Sequence, residues 1–552
     1  MLSVFGCQFS VSSRQARSAR DLFFNFQFSI FNLAAATALL LSATATTAAP
    51  RTRAVRPPVT PKIAAEPATC AMTPPAPVMC TEGSAAFPSI GASDVEAIVR
   101  AAARALDSNT MTIAVADRAG RVLALYRKPG ANPANDDLAV GTARTAAFFS
   151  HNMAPLSSRT VRFLSGIHFP PNITNTPSAA LYGIENTNRG CDFNVTFNAG
   201  KCIPRARSLS GGPGPGIVTS NAGGIPLYRN GSLLGGIGVG GVDDDRAEYA
   251  AASGAFGAPG IIPVPAYPLP PPGNVFVDGI RLPFLGKDIR LQFSGDAPAG
   301  VRLDGVNAGS DNGAFVIAPL NGGCAENEYL VGPLAGSKLS ALDVDAIVQR
   351  AIQTARRTRA LIRLPLNRYA RMVIAVADVD GSILALYRMP DATVFSVDVA
   401  AAKSRNVVWF STAGLPGVPP GTAITNRTIG FGAQPFYPPG IDSSVFGREE
   451  GPWYRSLFLR DLANVCTQGE QPANPNQNGV VFFAGSSPLF RNRELIGGLG
   501  VSGDGIEQDD YVTYFGAGPF LPSADMWADR VVVDGARLPM FKFPRQPEGV
   551  DE

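Results

Sequence analysis

The sequence predicts an α+β protein made of two tandem units, each an antiparallel sheet flanked by helices. Three observations carry this. The hairpin stretch IAVADRAGRVLALYR, Ile113 to Arg127, returns as IAVADVDGSILALYR, Ile374 to Arg388. A glycine-rich closing hairpin also appears twice, GGIPLYRNGSLLGGIGVGG at Gly223 to Gly241 and GSSPLFRNRELIGGLGVSG at Gly485 to Gly503. Apolar stripes at helical spacing stand in the same order around both. A duplication on this scale sets the domain count.

Taken in order, Arg14, Arg17 and Arg20 precede an apolar run from Leu22 to Leu41, followed by small residues around Ala43 to Ala49. Basic, then apolar, then small is the order of a secretory signal peptide, so residues 1–49 read as a signal and the mature chain as exported, periplasmic or extracellular. Residues 50–88 read as a Pro/Ala-rich disordered tether. The first unit, 89–257, opens with a capping box at Ser93 and Glu96. The stripe Val95, Ile98, Val99, Ala102 and Leu106 follows on one helix face, and Val344, Ile347, Val348, Ala351 and Ala355 repeat it in the second unit, 324–520.

Each hairpin turn is Asp-x-x-Gly, Asp117 to Gly120 and Asp378 to Gly381. Asp at the first position bonds the backbone ahead and Gly at the last tolerates positive φ, so both aspartates read as turn caps. A second helix comes next, with Leu138, Thr142, Thr145 and Phe148 in one copy and Val399, Lys403, Asn406 and Trp409 in the other. An insertion around Arg359 to Asn367 precedes the second unit's first hairpin. Long Pro/Gly/Asn-rich loops, Pro155 to Gly224 and Leu415 to Gly485, lead to the closing hairpins. There the alternating glycines leave one strand face bare for a helix, a partner subunit or a ligand. An acidic segment then opens a short terminal helix. Residues 258–323 form a Pro/Gly-rich linker with short strands, and 521–552 a C-terminal extension. Both contain one motif, Val277 to Pro283 and Val533 to Pro539, expected to dock on its own or the neighbouring domain.

Composition excludes several functions. Hydrophobic residues are 45% of the chain, enough for real cores. A net charge of +3 with no basic run gives no footprint for nucleic acid. After the signal, no stretch approaches the roughly 20 apolar residues of a membrane span. Two histidines, His151 and His168, exclude a histidine-rich metal site in both units. No GxSxG elbow, HExxH helix or phosphate loop is present.

The stretches IAVADVDGSILALYRMPDA, SVDVAAAKSRNVVWF and SPLFRNRELIGGLGVSG resemble the GlcG/HbpS family of haem-binding, also called haem-degrading, domains. The second unit matches at Arg388, Met389, Ser396, Asp398, Lys403 and Gly500 to Gly503. The first is degenerate, with Lys128, Asn135, Thr142 and Gly240 in place of the Met, Ser, Lys and final-hairpin Ser. The resemblance implies profilin-like α/β/α domains that form higher oligomers, a possible homo-oligomer here, and haem as the cofactor to consider.

Lys403 falls on the apolar face of its helix. Burying an unpaired ammonium is costly, so it either holds a small anionic ligand such as a haem propionate or pairs with Asp398 or an acid of the last segment. Arg127 and Arg388 end strands and are anion clamps or solvated strand ends. Ser396 and Asp398 join the ligand-binding candidates. His168 is a candidate iron ligand or polar surface; Tyr126, Tyr387 and Met389 are iron-ligand candidates or packing residues. No nucleophile, base and orienting group assemble, which leaves enzymatic haem breakdown the weaker alternative to a binding module or a ligand-free assembly module whose bare glycine strands are subunit contacts. Six cysteines follow the signal. Equivalent places in the repeat predict bridges Cys80–Cys202 and Cys324–Cys466, leaving Cys70–Cys191.

Overall fold

Each repeat wraps a sheet around one central strand. The computed structural model describes residues 89–193, 206–265, 275–286, 309–323, 329–440, 449–469 and 475–548, all within one compact unit, Cys80 to Glu552. The signal, the tether, Cys70, Cys80, Cys202 and Cys324 lie outside the described residues.

The first repeat runs α1 (Ala92–Arg104), β1 (Thr112–Asp117), β2 (Val122–Arg127), α2 (Asp136–Phe149), α3 (Ser158–Leu164), β3 (Gly224–Arg229), β4 (Ser232–Gly240) and α4 (Asp244–Ala255). Short strands β5 (Ile261–Ile262), β6 (Phe276–Val277), β7 (Ile280–Arg281) and β8 (Ala314–Ile317) follow. The second repeat runs β9 (Tyr329–Val331), α5 (Ala341–Ala355), β10 (Met372–Ala377), β11 (Ile383–Arg388), α6 (Phe395–Ala413) and α7 (Asn426–Gly432). It continues through α8 (Arg460–Ala463), β12 (Ser486–Arg491), β13 (Glu494–Gly503), α9 (Ile506–Ala517), β14 (Val532–Val533) and β15 (Ala536–Arg537).

The two sheets have matching orders, β5-β3-β4-β1-β2-β8 and β12-β13-β10-β11-β9, with antiparallel neighbours. Strand β8, from the stretch read as linker, completes the edge of the first sheet against β2. The turn aspartates cap as expected. Asp117 Oδ1 accepts from Ala119 N at 3.0 Å and Arg121 N at 2.9 Å; Asp378 Oδ1 accepts from Val379 N at 2.8 Å. Helix α1 starts one residue before the expected Ser93 cap. Ile90 bridges to Gly322, Ala92 N donates to Asn321 Oδ1 at 2.8 Å, and Gly91 becomes the cap, while Glu96 pairs with Arg100 instead.

Side-chain alternation along β4 and β13 divides the two faces. Ile237 and Val239 enter the core under α1 and α4, and Leu499 and Val501 the core of the second repeat under α5 and α9. Gly236 and Gly238 face α2, where an added Cβ would collide with Ala143 O and Ala139 O; Gly498 and Gly500 meet Ser404 O and Ala400 O of α6 in the same way. The bare glycine face is therefore filled by the repeat's own helix. That corrects its reading as a subunit contact: the missing Cβ atoms let α2 and α6 sit directly on the sheet.

The trailing motif docks on its own repeat. Thr160 Oγ1 donates to Pro283 O at 2.7 Å and Thr428 Oγ1 to Pro539 O at 2.7 Å. Gly286 N reaches Glu248, which Arg159 pairs; Lys542 N reaches Asp510, which Arg427 pairs.

The repeats meet where the end of α2 faces the start of α6. Phe149 and Phe395 stack with ring centroids 4.1 Å apart, and Val394 N donates to Phe148 O at 3.0 Å. The long loop of the first repeat also reaches into the second. Asn188 N donates to Asp398 Oδ2 at 2.7 Å, and buried Arg189 pairs with buried Asp461 at 2.8 Å. Beside them Cys191 and Cys466 are bridged, Cα atoms 5.5 Å apart. This corrects the expected Cys70–Cys191 and Cys324–Cys466 pairs. Those assumed that each loop closes on its own unit, whereas the two loops cross the interface and bring Cys191 to Cys466.

Candidate functional site

A cavity of about 40 Å³ lies between the repeats. Phe149, Leu156, Leu164 and Leu181 wall it from the first repeat, and Phe395, Phe483 and Ile506 from the second. Leu361 and Ile362, from the insertion unique to the second repeat, close one side. Its polar groups come from the end of β13 and the first turns of α9, Ser502 and Asp509.

The fold makes this place. The stack of Phe149 on Phe395 holds the helix ends together but leaves a gap behind the rings. Gly503 and Gly505 keep the β13–α9 turn thin beside it. Asp509 Oδ2 accepts from Lys403 Nζ at 3.0 Å, and both side chains are shut from solvent. Lys403 Nζ also donates to Val501 O at 2.8 Å and stands 5.0 Å from the centroid of the Phe483 ring. Asp509 Oδ1 is buried without a hydrogen-bond partner. Burial pushes the Asp509 carboxyl well above the usual carboxylate range, against the pull of Lys403, and burial lowers the Lys403 ammonium. Ser502 Oγ donates to Ser396 Oγ at 3.1 Å, and Ser396 shares a 2.7 Å hydrogen bond with Thr393.

A charge network borders the site. Asp391 pairs with Arg118 of the first repeat at 3.0 Å and Arg363 of the insertion at 2.8 Å; Arg363 also pairs with Asp504 at 2.5 Å. His151 Nε2 lies 3.9 Å from Asp504 Oδ1. Burial works to raise Asp391, but Arg118, His151 and Arg363 outweigh it and hold its carboxyl low. Burial, then Arg363, brings His151 down to about 4.

The residues singled out from sequence divide accordingly. Lys403 takes the acidic-segment partner, Asp509, so its ammonium is engaged within the chain. Ser396 stands behind the cavity wall through Ser502. Asp398 holds the crossing loop, and burial raises its carboxyl. Arg388 is buried rather than a solvated strand end, and its guanidinium donates to Ala392 O. Arg127 pairs with Asp136 at its own strand end. His168 Nδ1 contacts Thr176 O at 2.8 Å and its ring stacks on Phe436, away from the cavity lining. Tyr126 bonds Asp311 O, Tyr387 packs edge-on to Tyr329, and Met389 Sδ accepts from Met372 N. In the first repeat, Thr142 Oγ1 bonds its own helix at Leu138 O and Ala139 O, each 3.0 Å away. Among the described residues no group of three or more His, Cys, Asp or Glu side chains could hold a metal ion, and no helix is long and apolar enough to cross a membrane.

Sequence reasoning did not single out Arg363 or Asp391; Phe149 was read only as part of a helix stripe and Ser502 only as part of the closing-hairpin motif. Arg363 had a signal, because it sits in the insertion that only one copy carries.

The model of the family described as haem degrading protein HbpS-like matches residues 90–255 and again 339–517. Two corrinoid adenosyltransferases PduO are similar in sequence. The protein from Citrobacter freundii is 26% identical over 155 residues and that from Salmonella typhimurium 26% over 152. Each match covers 28% of this chain and 33% of the relative, so the chain spans about a third of the length of these curated relatives. Among solved structures, a PduOC–haem complex is 22% identical, covering 32% of this chain and 92% of that one with a TM-score of 0.20. Klebsiella pneumoniae protein ORFY is 18% identical, covering 31% and 81%, also with a TM-score of 0.20. With its family model matched twice in tandem over more than half of its residues, the chain belongs to the HbpS-like haem degrading protein family.

Proposed function

We propose that the protein is a tandem-domain binding module that holds a small molecule in the cavity between its repeats. The observation that carries this is the apolar cavity itself, walled by both repeats and ended by a buried carboxylate with one unengaged oxygen. Large apolar pockets with a few convergent polar groups are the usual form of a ligand site. This one is smaller than the roughly 300–1,000 Å³ of sites for drug-sized ligands. It suits a molecule, or an arm of a molecule, of a few heavy atoms. Native mass spectrometry of the purified full chain tests the reading. A bound small molecule that Ala180→Phe displaces by filling the cavity supports it. No adduct, with no xenon-induced shift of the lining methyl groups, removes it.

Haem is the second reading, favoured by family membership. At about 40 Å³ the cavity does not fit a porphyrin, and neither histidine lines it. A saturable Soret shift on titration with haemin supports this reading; an unchanged haemin spectrum removes it. We also place the mature chain outside the cytoplasm. The order of residues 1–49 supports this, as does a bridge between Cys191 and Cys466, since such bonds persist in oxidising compartments. N-terminal sequencing of exported protein tests it: a start beyond the apolar run supports export, an intact leader on cytoplasmic protein refutes it.

A further inference from the structure

The polar end of the cavity offers hydrogen-bond acceptors. Asp509 Oδ2 is engaged by Lys403, and Oδ1 has no partner. The Ser502 hydroxyl spends its proton on Ser396, which leaves its oxygen lone pairs as acceptors. Lys403 is the nearest cation, and it is already held by Asp509 and Val501 O and covered by the Phe483 ring. Asp510, paired with Arg427, and Asp504, paired with Arg363, both act to raise the Asp509 carboxyl. A ligand carboxylate placed here would be desolvated beside Asp509, with the Lys403 ammonium already engaged. A neutral donor would satisfy an oxygen that is otherwise buried without a hydrogen bond.

The other repeat supplies a contrast. Gly223 and Gly485 occupy equivalent turns, both at φ +115° and both close to the carbonyl of the facing strand valine. A Cβ on Gly223 would meet Ala247; one on Gly485 would meet Asp509 and Lys403 Nζ. Where the second repeat has Lys403 and Asp509, the first thus has Thr142 and Ala247, without charge. The pair is an addition to one copy, at the copy's edge of the cavity.

We infer that the cavity selects a small apolar molecule ending in a neutral hydrogen-bond donor, an alcohol hydroxyl, with Asp509 Oδ1 as its acceptor, and that it rejects carboxylates. This rests on the cavity being a ligand site and specifies what that site takes. A volume near 40 Å³ suits about three or four heavy atoms, given that one water needs about 10–15 Å³ of such space.

Saturation-transfer NMR on the full chain, with isopropanol, acetate and xenon as probes, tests this. The methyl shifts of Leu156, Leu164 and Leu181 report the place of binding. Isopropanol is expected to bind at least tenfold more tightly than acetate. The double variant Lys403→Thr/Asp509→Ala, which reproduces the first repeat's pair, is expected to keep xenon and lose the tenfold preference. Acetate binding as tightly as isopropanol overturns the inference, as does a preference retained in the double variant, while xenon entry keeps the cavity as a site. If neither xenon nor isopropanol enters, the site reading falls and this inference with it. The wild-type comparison decides the matter alone should the double variant not fold.

Discussion

Lys403 Nζ and Asp509 Oδ2 stand 3.0 Å apart, with Asp509 on α9, Lys403 on α6, and both side chains closed to water. Such a pair contributes little net stability, because desolvation offsets the attraction, but a lone survivor is expensive. Lys403→Ala is therefore expected to cost about 3–5 kcal/mol, since it strands the Asp509 carboxylate. Lys403→Thr/Asp509→Ala should cost less than the single change, because no buried charge is left and the first repeat folds with that pair. Denaturant unfolding of both variants checks this. A double variant as damaged as the single one would mean that the pair's packing matters more than its charge.

Gly238 and Gly500 carry α2 and α6 on their sheets. The atoms an added Cβ would meet are backbone carbonyls, which cannot rotate aside. Gly238→Ala and Gly500→Ala are each expected to destabilise by about 3 kcal/mol through overpacking. Gly212→Ala, with nothing within 4 Å of its added Cβ, should stay within about 0.5 kcal/mol of the parent. Thermal unfolding of the three variants checks the ranking.

The same glycines show what was legible in the sequence. Their alternation with Ile237 and Val239 disclosed a strand with one bare face, because period two survives in the residue order. What filled that face was not written locally, since a helix, a ligand and a subunit all need the same absence of Cβ. The hairpins and helices were legible for the same periodic reason, whereas the contacts between the repeats were not. Asn188 reaches Asp398 across 210 residues and Arg189 reaches Asp461 across 272. Neither belongs to a periodic stretch. Lys403 was legible as a charge on an apolar face, but not which acid met it, because several acids stand in the last segment. The expected partners of Cys191 and Cys466 failed because duplication was taken to imply self-contained units, and the long loops cross instead.

His151 titrates against the fold. It is buried with Arg363, Asp504, Asp391 and Arg118 around it, and its Nδ1 accepts from Met153 N. Its folded value, about 4, lies below the ordinary 6.5. Between those values the unfolded chain binds a proton that the folded chain does not. Stability from this group is thus full above about pH 6.5 and is lost as pH falls toward 4, on the order of 3 kcal/mol in all. Glu248, raised to about 7 by burial, works in the opposite sense. The informative quantity is therefore the difference between parent and His151→Asn. That difference should shift by about 3 kcal/mol in favour of the variant between pH 7.5 and pH 4. Urea unfolding across that range checks it; a difference that stays constant with pH would assign the slope to other groups.

The Cys191–Cys466 bridge ties the crossing loop to the second repeat next to the Arg189–Asp461 pair. It closes a segment of 275 residues. Restricting the unfolded chain over so long a span is expected to stabilise by about 2–5 kcal/mol. Cys466→Ser should lower stability by that amount and leave Cys191 as a titratable thiol. The Asn188–Asp398 contact holds the same loop by an independent route, so Asp398→Ala in the Cys466→Ser background should release it further. Peptide mapping under non-reducing conditions decides the pairing: a crosslinked Cys191–Cys466 peptide is expected. Hydrogen exchange of residues 180–190 then reads the loop. Faster exchange in the double variant than in either single one is the outcome that two separate tethers require. Equal exchange in all three would place the loop's anchorage elsewhere, on the Arg189–Asp461 pair alone.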